Sequence, residues 1–252
     1  VVARLRAQGA VPLGKAHTTE FAYYEAVPPT RNPHDITRTP GGSSAGSAAA
    51  VASGTVPFAL GSQTAGSVSR PAAFCGIGAF KPSTQSVIGA GVTPFAPSFD
   101  TVGVLAATAA DAAFVVAAMA PEALGFGTPA ADPATIEAVF LDDPLIDELA
   151  EASVHTAMTQ LCTRYSDAGI TTRTVAPPVS LGDLKVWHRT ISSYELGRVH
   201  ADLLVEESLI SPRLAADIRA GQTIADAAYR TAQAALIAAR QKFWTALPWQ
   251  IG

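Results

Sequence analysis

The chain of 252 residues is long enough for one large domain or two small ones and can bury a real core. Its net charge of −4, without any run of lysine or arginine, argues against a nucleic-acid backbone or an anionic membrane surface as partner. Charged residues make up only 15% and hydrophobic residues 48%, a balance that suits either a large α/β domain with a buried sheet or a core left partly uncovered by missing segments.

Val1 to Gly9 reads as the last turns of a helix that closes on a glycine, and Val11 to Leu13 as a short strand before Gly14-Lys15. Thr18-Thr19-Glu20-Phe21 reads as the start of a helical turn. Prolines at 28, 29, 33 and 40 leave Val27 to Pro40 as loop. His17 and His34 fall near this loop, where a lone histidine is more often solvated than catalytic. Ser44 to Gly54 is a helix of small residues, Val56 to Leu60 a core strand, and Pro71 to Phe74 the start of another helix. Asp100, Thr101 and Asp111 suit loop and helix-cap roles. The longest apolar stretch, Ala112 to Ala120, is too short to span a bilayer.

In the second half, Leu145 to Tyr165 is one amphipathic helix closed by Gly169, and Ile170 to Val175 alternates like a strand. Leu184 to Val205 and Ile224 to Leu247 are further helices. Trp187, His188, Tyr194 and His200 recur there at a spacing that is more often core than pocket. Cys75 and Cys162 are too few for a disulfide framework and are not spaced as metal ligands. Cys75 reads as a small buried hydrophobe. A reducing cytoplasm is the default compartment, and no stretch reads as a signal peptide.

The stretch from Pro40 to Pro82 carries the chemistry. It holds two turns of small residues, Gly41-Gly42-Ser43-Ser44-Ala45-Gly46-Ser47 and Gly61-Ser62-Gln63-Thr64-Ala65-Gly66-Ser67. No lysine follows either turn as a P-loop requires, and neither turn supplies G-x-G-x-x-G. Around Ser67 the last glycine of a G-x-S-x-G elbow is absent, and S-x-x-K occurs nowhere. A strand running into a small-residue turn and then into a helix gathers peptide N–H groups that can face a developing negative charge. Ser67, at the end of such a turn, is the candidate nucleophile.

These residues resemble the amidase signature family, whose members use a Ser–cis-Ser–Lys triad. The resemblance runs through Gly42-Ser43-Ser44, Gly66-Ser67, Arg70-Pro71-Ala72, Phe74-Cys75-Gly76, Lys81-Pro82 and Ser98-Phe99-Asp100-Thr101-Val102-Gly103. It reaches back to Gly14-Lys15 and Glu20-Phe21-Ala22, and grows diffuse after about Ala120. It implies one α/β domain over residues 1–252, a twisted mixed sheet with helices on both faces, with 40–82 as active-site core and 120–252 as variable helical half.

The function it implies is hydrolysis of a carbon–nitrogen amide bond through an acyl-enzyme on Ser67, without metal or organic cofactor. Ser43 matches the bridging serine with the cis peptide. The backbone N–H groups of Thr64, Ala65, Gly66 and Ser67 match the oxyanion hole. Ala65 stands in place of the usual glycine, where a methyl is expected to narrow the acyl pocket or strain the turn. Gln63 stands in place of a frequent aspartate and is expected to be structural. Arg70 is read as a structural partner of a carboxylate in preference to a substrate ligand.

The third member of the triad is missing. None of the four lysines, Lys15, Lys81, Lys185 and Lys242, matches the family's catalytic position. The expectation is a piece of a longer enzyme that lacks its N-terminal part with the lysine and its C-terminal end. Two alternatives stay open: an amidotransferase subunit that releases ammonia to a partner, and a catalytically inactive fragment. A small-molecule amide is the expected substrate, and a homo-oligomer is compatible with the sequence.

Overall fold

The computed structural model describes residues 1–23, 29–84, 86, 90–120 and 136–247. It forms two compact units, Val1–Phe126 with Ser192–Thr223, and Gly127–Ile191 with Ile224–Gly252. The α/β class is borne out, with one small sheet in each unit.

The first unit is built around an antiparallel sheet of order β1-β3-β2: Phe58–Gln63, Thr101–Ala106 and Gly78–Phe80. All six residues of the central strand β3 are buried. Successive side chains of a strand point to opposite faces, and β3 uses both. Val102, Val104 and Ala106 pack with Leu5 of α1 (Val2–Ala7) and with Ala112, Val115, Val116 and Met119 of α4 (Ala109–Met119). Leu105 packs the other way, with Ala48 and Val51 of α2 (Ala45–Ala52), Ala72 of α3 (Ser69–Phe74), Val68 and Cys75. Each valine, leucine or methionine among them contributes about 1.5–3 kcal/mol on full burial. The sheet of this unit thus carries helices on both faces, as expected.

The alanine-rich composition of α2 has a geometric cause. A Cβ on Gly61 of β1 would lie 2.6 Å from the Ser44 hydroxyl oxygen and 2.9 Å from a Leu105 methyl. Helix and strand approach too closely for a side chain between them. Helix α4 starts on Thr108, whose hydroxyl accepts from the Asp111 N–H at 3.1 Å and donates to its carboxylate at 2.7 Å.

A third cluster joins Leu196 of α7 (Leu181–Val199) and Leu214 and Ile218 of α8 (Pro212–Gln222) with Phe21, Tyr23 and Phe95. The two helices touch at glycines: a Cβ on Gly221 would sit 2.0 Å from the Ser193 carbonyl.

The second unit pairs β4 (Glu137–Leu141) with β5 (Thr171–Val175) in parallel, and contains α5 (Pro144–Leu149), α6 (Ala152–Asp167) and α9 (Asp226–Ala246). Buried Asp143 accepts from Leu145 N at 2.9 Å and Leu181 N at 3.0 Å, and so fixes the starts of α5 and α7 together.

Three expected elements differ. Val11 to Leu13 is no strand; Val11 and Leu13 are exposed and pair with no described strand. The single helix expected over Leu145 to Tyr165 breaks at Ala150 and Glu151, both extended: the Asp143 side chain and Pro144 start a short first helix, and the next begins at Ala152. The helix expected to run to Val205 ends at Val199, where His200 turns inward and a 3₁₀ stretch, Ala201–Leu209, follows. Among the described residues no helix is long and apolar enough to cross a membrane.

Candidate active site

Ser43 follows a cis peptide bond, Gly42–Ser43, in the turn that leads into α2. Its carbonyl accepts from the Thr18 hydroxyl at 3.1 Å, from Thr19 N at 3.3 Å and from Ala45 N at 2.9 Å. Gly46 N donates to the His17 carbonyl at 2.8 Å, and a Cβ there would lie 2.3 Å from His17 N. The segment 17–19 is therefore laid directly on the turn, and only glycine admits it. The Ser43 hydroxyl oxygen is buried and has no hydrogen-bond partner among the described residues, a costly state for an interior hydroxyl.

Ser67 ends the second turn, between β1 and α3. Its carbonyl accepts from Ser44 N at 3.2 Å, so the two serine-bearing turns meet backbone to backbone. Gln63, at the last position of β1, organises the exit from this turn. Its side-chain oxygen accepts from Val68 N at 2.8 Å, Ser69 N at 3.0 Å and the Ser69 hydroxyl at 3.0 Å. It occupies donors at the start of α3 and closes the turn 64–67 into a loop, the structural role expected of it.

Thr64, Ala65 and Gly66 form the tip of that turn. Ala65 is exposed and lies outside the left-handed region, so its methyl introduces no backbone strain of the kind anticipated. The Arg70 side chain folds back over Gly66, where a Cβ would stand 3.1 Å from a guanidinium nitrogen. The carboxylate partner expected for Arg70 is not found among the described residues. The exposed guanidinium instead adds positive charge beside the turn.

The turn rests on a residue assigned only a loop or cap role from the sequence. The Thr64 hydroxyl donates to Asp100 Oδ1 at 2.5 Å, while Asp100 Oδ2 accepts from Phe95 N at 2.7 Å and Ala96 N at 2.9 Å. Burial pushes the Asp100 carboxyl above its ordinary value; these hydrogen bonds pull it back, and the nearby negative charge of Glu195 pushes it up again. Glu195, on α7, accepts from Ser98 N at 2.9 Å and from the Ser98 hydroxyl. His200 lies within hydrogen-bond distance of the Pro94 carbonyl, 2.8 Å from Nε2. A visible signal for Glu195 existed: it stands among Ile191, Ser192 and Leu196, a carboxylate inside a buried helical stripe.

Two of the four lysines, Lys15 and Lys81, belong to the first unit. Lys81 donates to the Pro82 carbonyl at 2.7 Å, and burial holds its amine below the ordinary value. Lys15 lines an apolar cavity of about 640 Å³ with Leu5, Val11, Leu13 and Phe58. Among the described residues no group of three or more His, Cys, Asp or Glu side chains is gathered to hold a metal ion.

The scaffold is that of a solved amidase: the match has a TM-score of 0.87 and 30% identity, over 98% of this chain and 57% of the other. The native peptide amidase of Stenotrophomonas maltophilia matches with a TM-score of 0.75 and 29% identity, over 93% of this chain and 57% of its own. The Amidase family model matches residues 1–135, and the chain belongs to that family. Among curated relatives, a Glutamyl-tRNA(Gln) amidotransferase subunit from Treponema pallidum subsp. pallidum is 50% identical over 121 residues. That match covers 46% of this chain and 24% of the relative, so the matched segment spans about a quarter of the length of the curated relatives it matches.

Proposed function

We propose that the chain carries the acylation centre of an amidase. Ser67 Oγ attacks the amide carbonyl carbon and forms an ester bond as the carbon–nitrogen bond breaks. Its proton passes to the Ser43 hydroxyl, which gives up its own proton to a base, and the departing nitrogen takes a proton as it leaves. Water then cleaves the ester and restores Ser67. The N–H groups of Thr64, Ala65, Gly66 and Ser67 stabilise the oxyanion, typically by about 3–4 kcal/mol for a donor of this kind.

The observation that carries this reading is the buried, unpartnered hydroxyl of Ser43 in a turn bonded through Ser44 N to the carbonyl of Ser67. A proton relay needs a hydroxyl not already engaged in a structural bond. The base is the lysine that the family resemblance implies, at a position none of the four lysines of this chain matches. The test is ammonia release from a panel of small aliphatic amides by the protein as its gene encodes it. Ser67→Ala should lower turnover by about 10³-fold or more, with folding unchanged by circular dichroism. Equal turnover in the variant would overturn the assignment.

A second reading rests on the 50% identity to the amidotransferase relative: release of ammonia within a complex. It predicts co-purification at fixed stoichiometry with a second protein, and turnover of free amides that rises when that protein is present.

A further inference from the structure

We infer that Glu195 is a positioning residue for the oxyanion turn, acting through Ser98 and Asp100; this rests on the amidase reading above. The chain of contacts is continuous. The Glu195 carboxylate takes both hydrogen-bond donors of Ser98, its N–H at 2.9 Å and its hydroxyl. Ser98 lies in the tight bend 96–100, closed by Phe99 N and Asp100 N on the Ala96 carbonyl at 2.9 and 3.0 Å. That bend presents Asp100, whose two oxygens divide their bonds between the bend itself and the Thr64 hydroxyl. Thr64 opens the turn that ends at Ser67.

The two ends of this turn are held by different means. Gln63 binds its exit locally, through Val68 and Ser69. Its opening residue, Thr64, is held from the other side by Asp100, so its position depends on where the bend 96–100 sits. Glu195 fixes that bend from a helix 97 residues further along the chain, and His200 holds Pro94, two residues before the bend. Both lie beyond the matched residues 1–135. The less family-like part of the chain therefore aims the most family-like part. Glu195 itself touches no reacting atom in this scheme.

The chemistry of the pair gives a sharp test. Glutamine at position 195 keeps an acceptor for Ser98 N, and its amide N–H can donate to the Ser98 hydroxyl, which accepts as readily as it donates. Glu195→Gln thus preserves the geometry without the charge, whereas Glu195→Ala removes both bonds. The experiment measures steady-state turnover of a small aliphatic amide and hydrogen–deuterium exchange of the 64–67 amides on the same preparations. Glu195→Ala should lower kcat by roughly 10–100-fold, the scale of an ångström-sized misplacement. KM should stay within about twofold, and exchange at 64–67 should rise with β3 unchanged. Glu195→Gln should restore both readouts to near wild type.

Unchanged kcat and unchanged exchange in Glu195→Ala would overturn the inference. So would a Gln variant as impaired as Ala, or an exchange increase spread evenly over β3 and α4, the mark of general destabilisation. If the wild-type protein turns over no amide, the amidase reading fails, and exchange at 64–67 alone then decides whether Glu195 positions the turn.

Discussion

The two units differ in what holds them together. In the first, β3 is buried along its whole length, and two clusters close on its opposite faces. Glycines at 46, 61, 103 and 221 stand where a Cβ would strike backbone or packed side chains at 3.1 Å or less. In the second, no residue of α6 is buried, both strands are at most half-buried, and Leu149, Val154, Met158, Ile237 and Trp244 are exposed. The first unit is specified by close backbone approach, which tolerates very few letters. The second is specified by element length and capping, which many sequences satisfy. The residues matched by the family model, 1–135, fall largely in the first unit, whereas the fold matches a solved amidase over 98% of the chain at a TM-score of 0.87 and 30% identity. The fold outlasts the wording.

The largest effect expected from this contrast is on stability. Gly46→Ala would set a methyl 2.3 Å from His17 N and 2.8 Å from its carbonyl oxygen, both backbone atoms. It should cost about 3 kcal/mol or more. Met158→Gln, on the exposed side of α6, should stay within about 0.5 kcal/mol of wild type. Urea unfolding of the two variants checks both values, and equal losses would erase the distinction between the units.

A smaller effect sharpens the picture inside the first unit. Burial raises the Asp100 carboxyl, so the folded state holds that proton more tightly than the unfolded chain. The contribution of Asp100 to stability is therefore fully present below the ordinary carboxylate range and declines as pH rises through it toward the raised value. Asp100→Asn removes that decline. The stability of the variant relative to wild type should rise with pH over this window, as read by unfolding at a series of acid pH values; a constant difference would count against it.

The smallest effect concerns the rim. Arg70 has no acidic partner among the described residues and lies over Gly66. Arg70→Gln should lower kcat/KM for amides bearing a carboxylate by up to roughly fivefold relative to neutral amides, the scale of an exposed ion pair. An unchanged ratio would leave Arg70 a surface charge only.

Much of the first unit was legible because its devices are local. Two small-residue turns flanking an alanine run read directly as closely packed turns, helix and strand, and Gln63 is expected to be structural as the replacement of a frequent aspartate in the family the chain resembles. What escaped depends on distant partners. Asp100 looks like a loop carboxylate until Thr64, Phe95 and Ala96 are seen around it. Glu195 and His200 look like ordinary helix residues until Ser98 and Pro94 arrive. Val11 to Leu13 failed for the converse reason: an apolar run is a strand only when another strand lies beside it. The break at Ala150 was hidden because apolar spacing runs on through it, while the Asp143 cap starts the first helix and the extended backbone at Ala150 and Glu151 ends it.

The hydrogen bonds around the two turns draw on stretches of the chain that lie far apart. Glu195 is 97 positions from Ser98, His200 is 106 from Pro94, and Glu20, one residue past the segment laid on Ser43, accepts from Ser211 N across 191. Closing such spans costs entropy that local turns and helices do not pay. The β1–β3 pairing spans only residues 58–106, whereas the alignment inferred for the turn also draws on 192–223. On the amidase reading proposed above, the turn that bears Ser67 is therefore aligned by the most distant contacts of the unit, and a chain in which those contacts are open presents the serine in an unaligned turn.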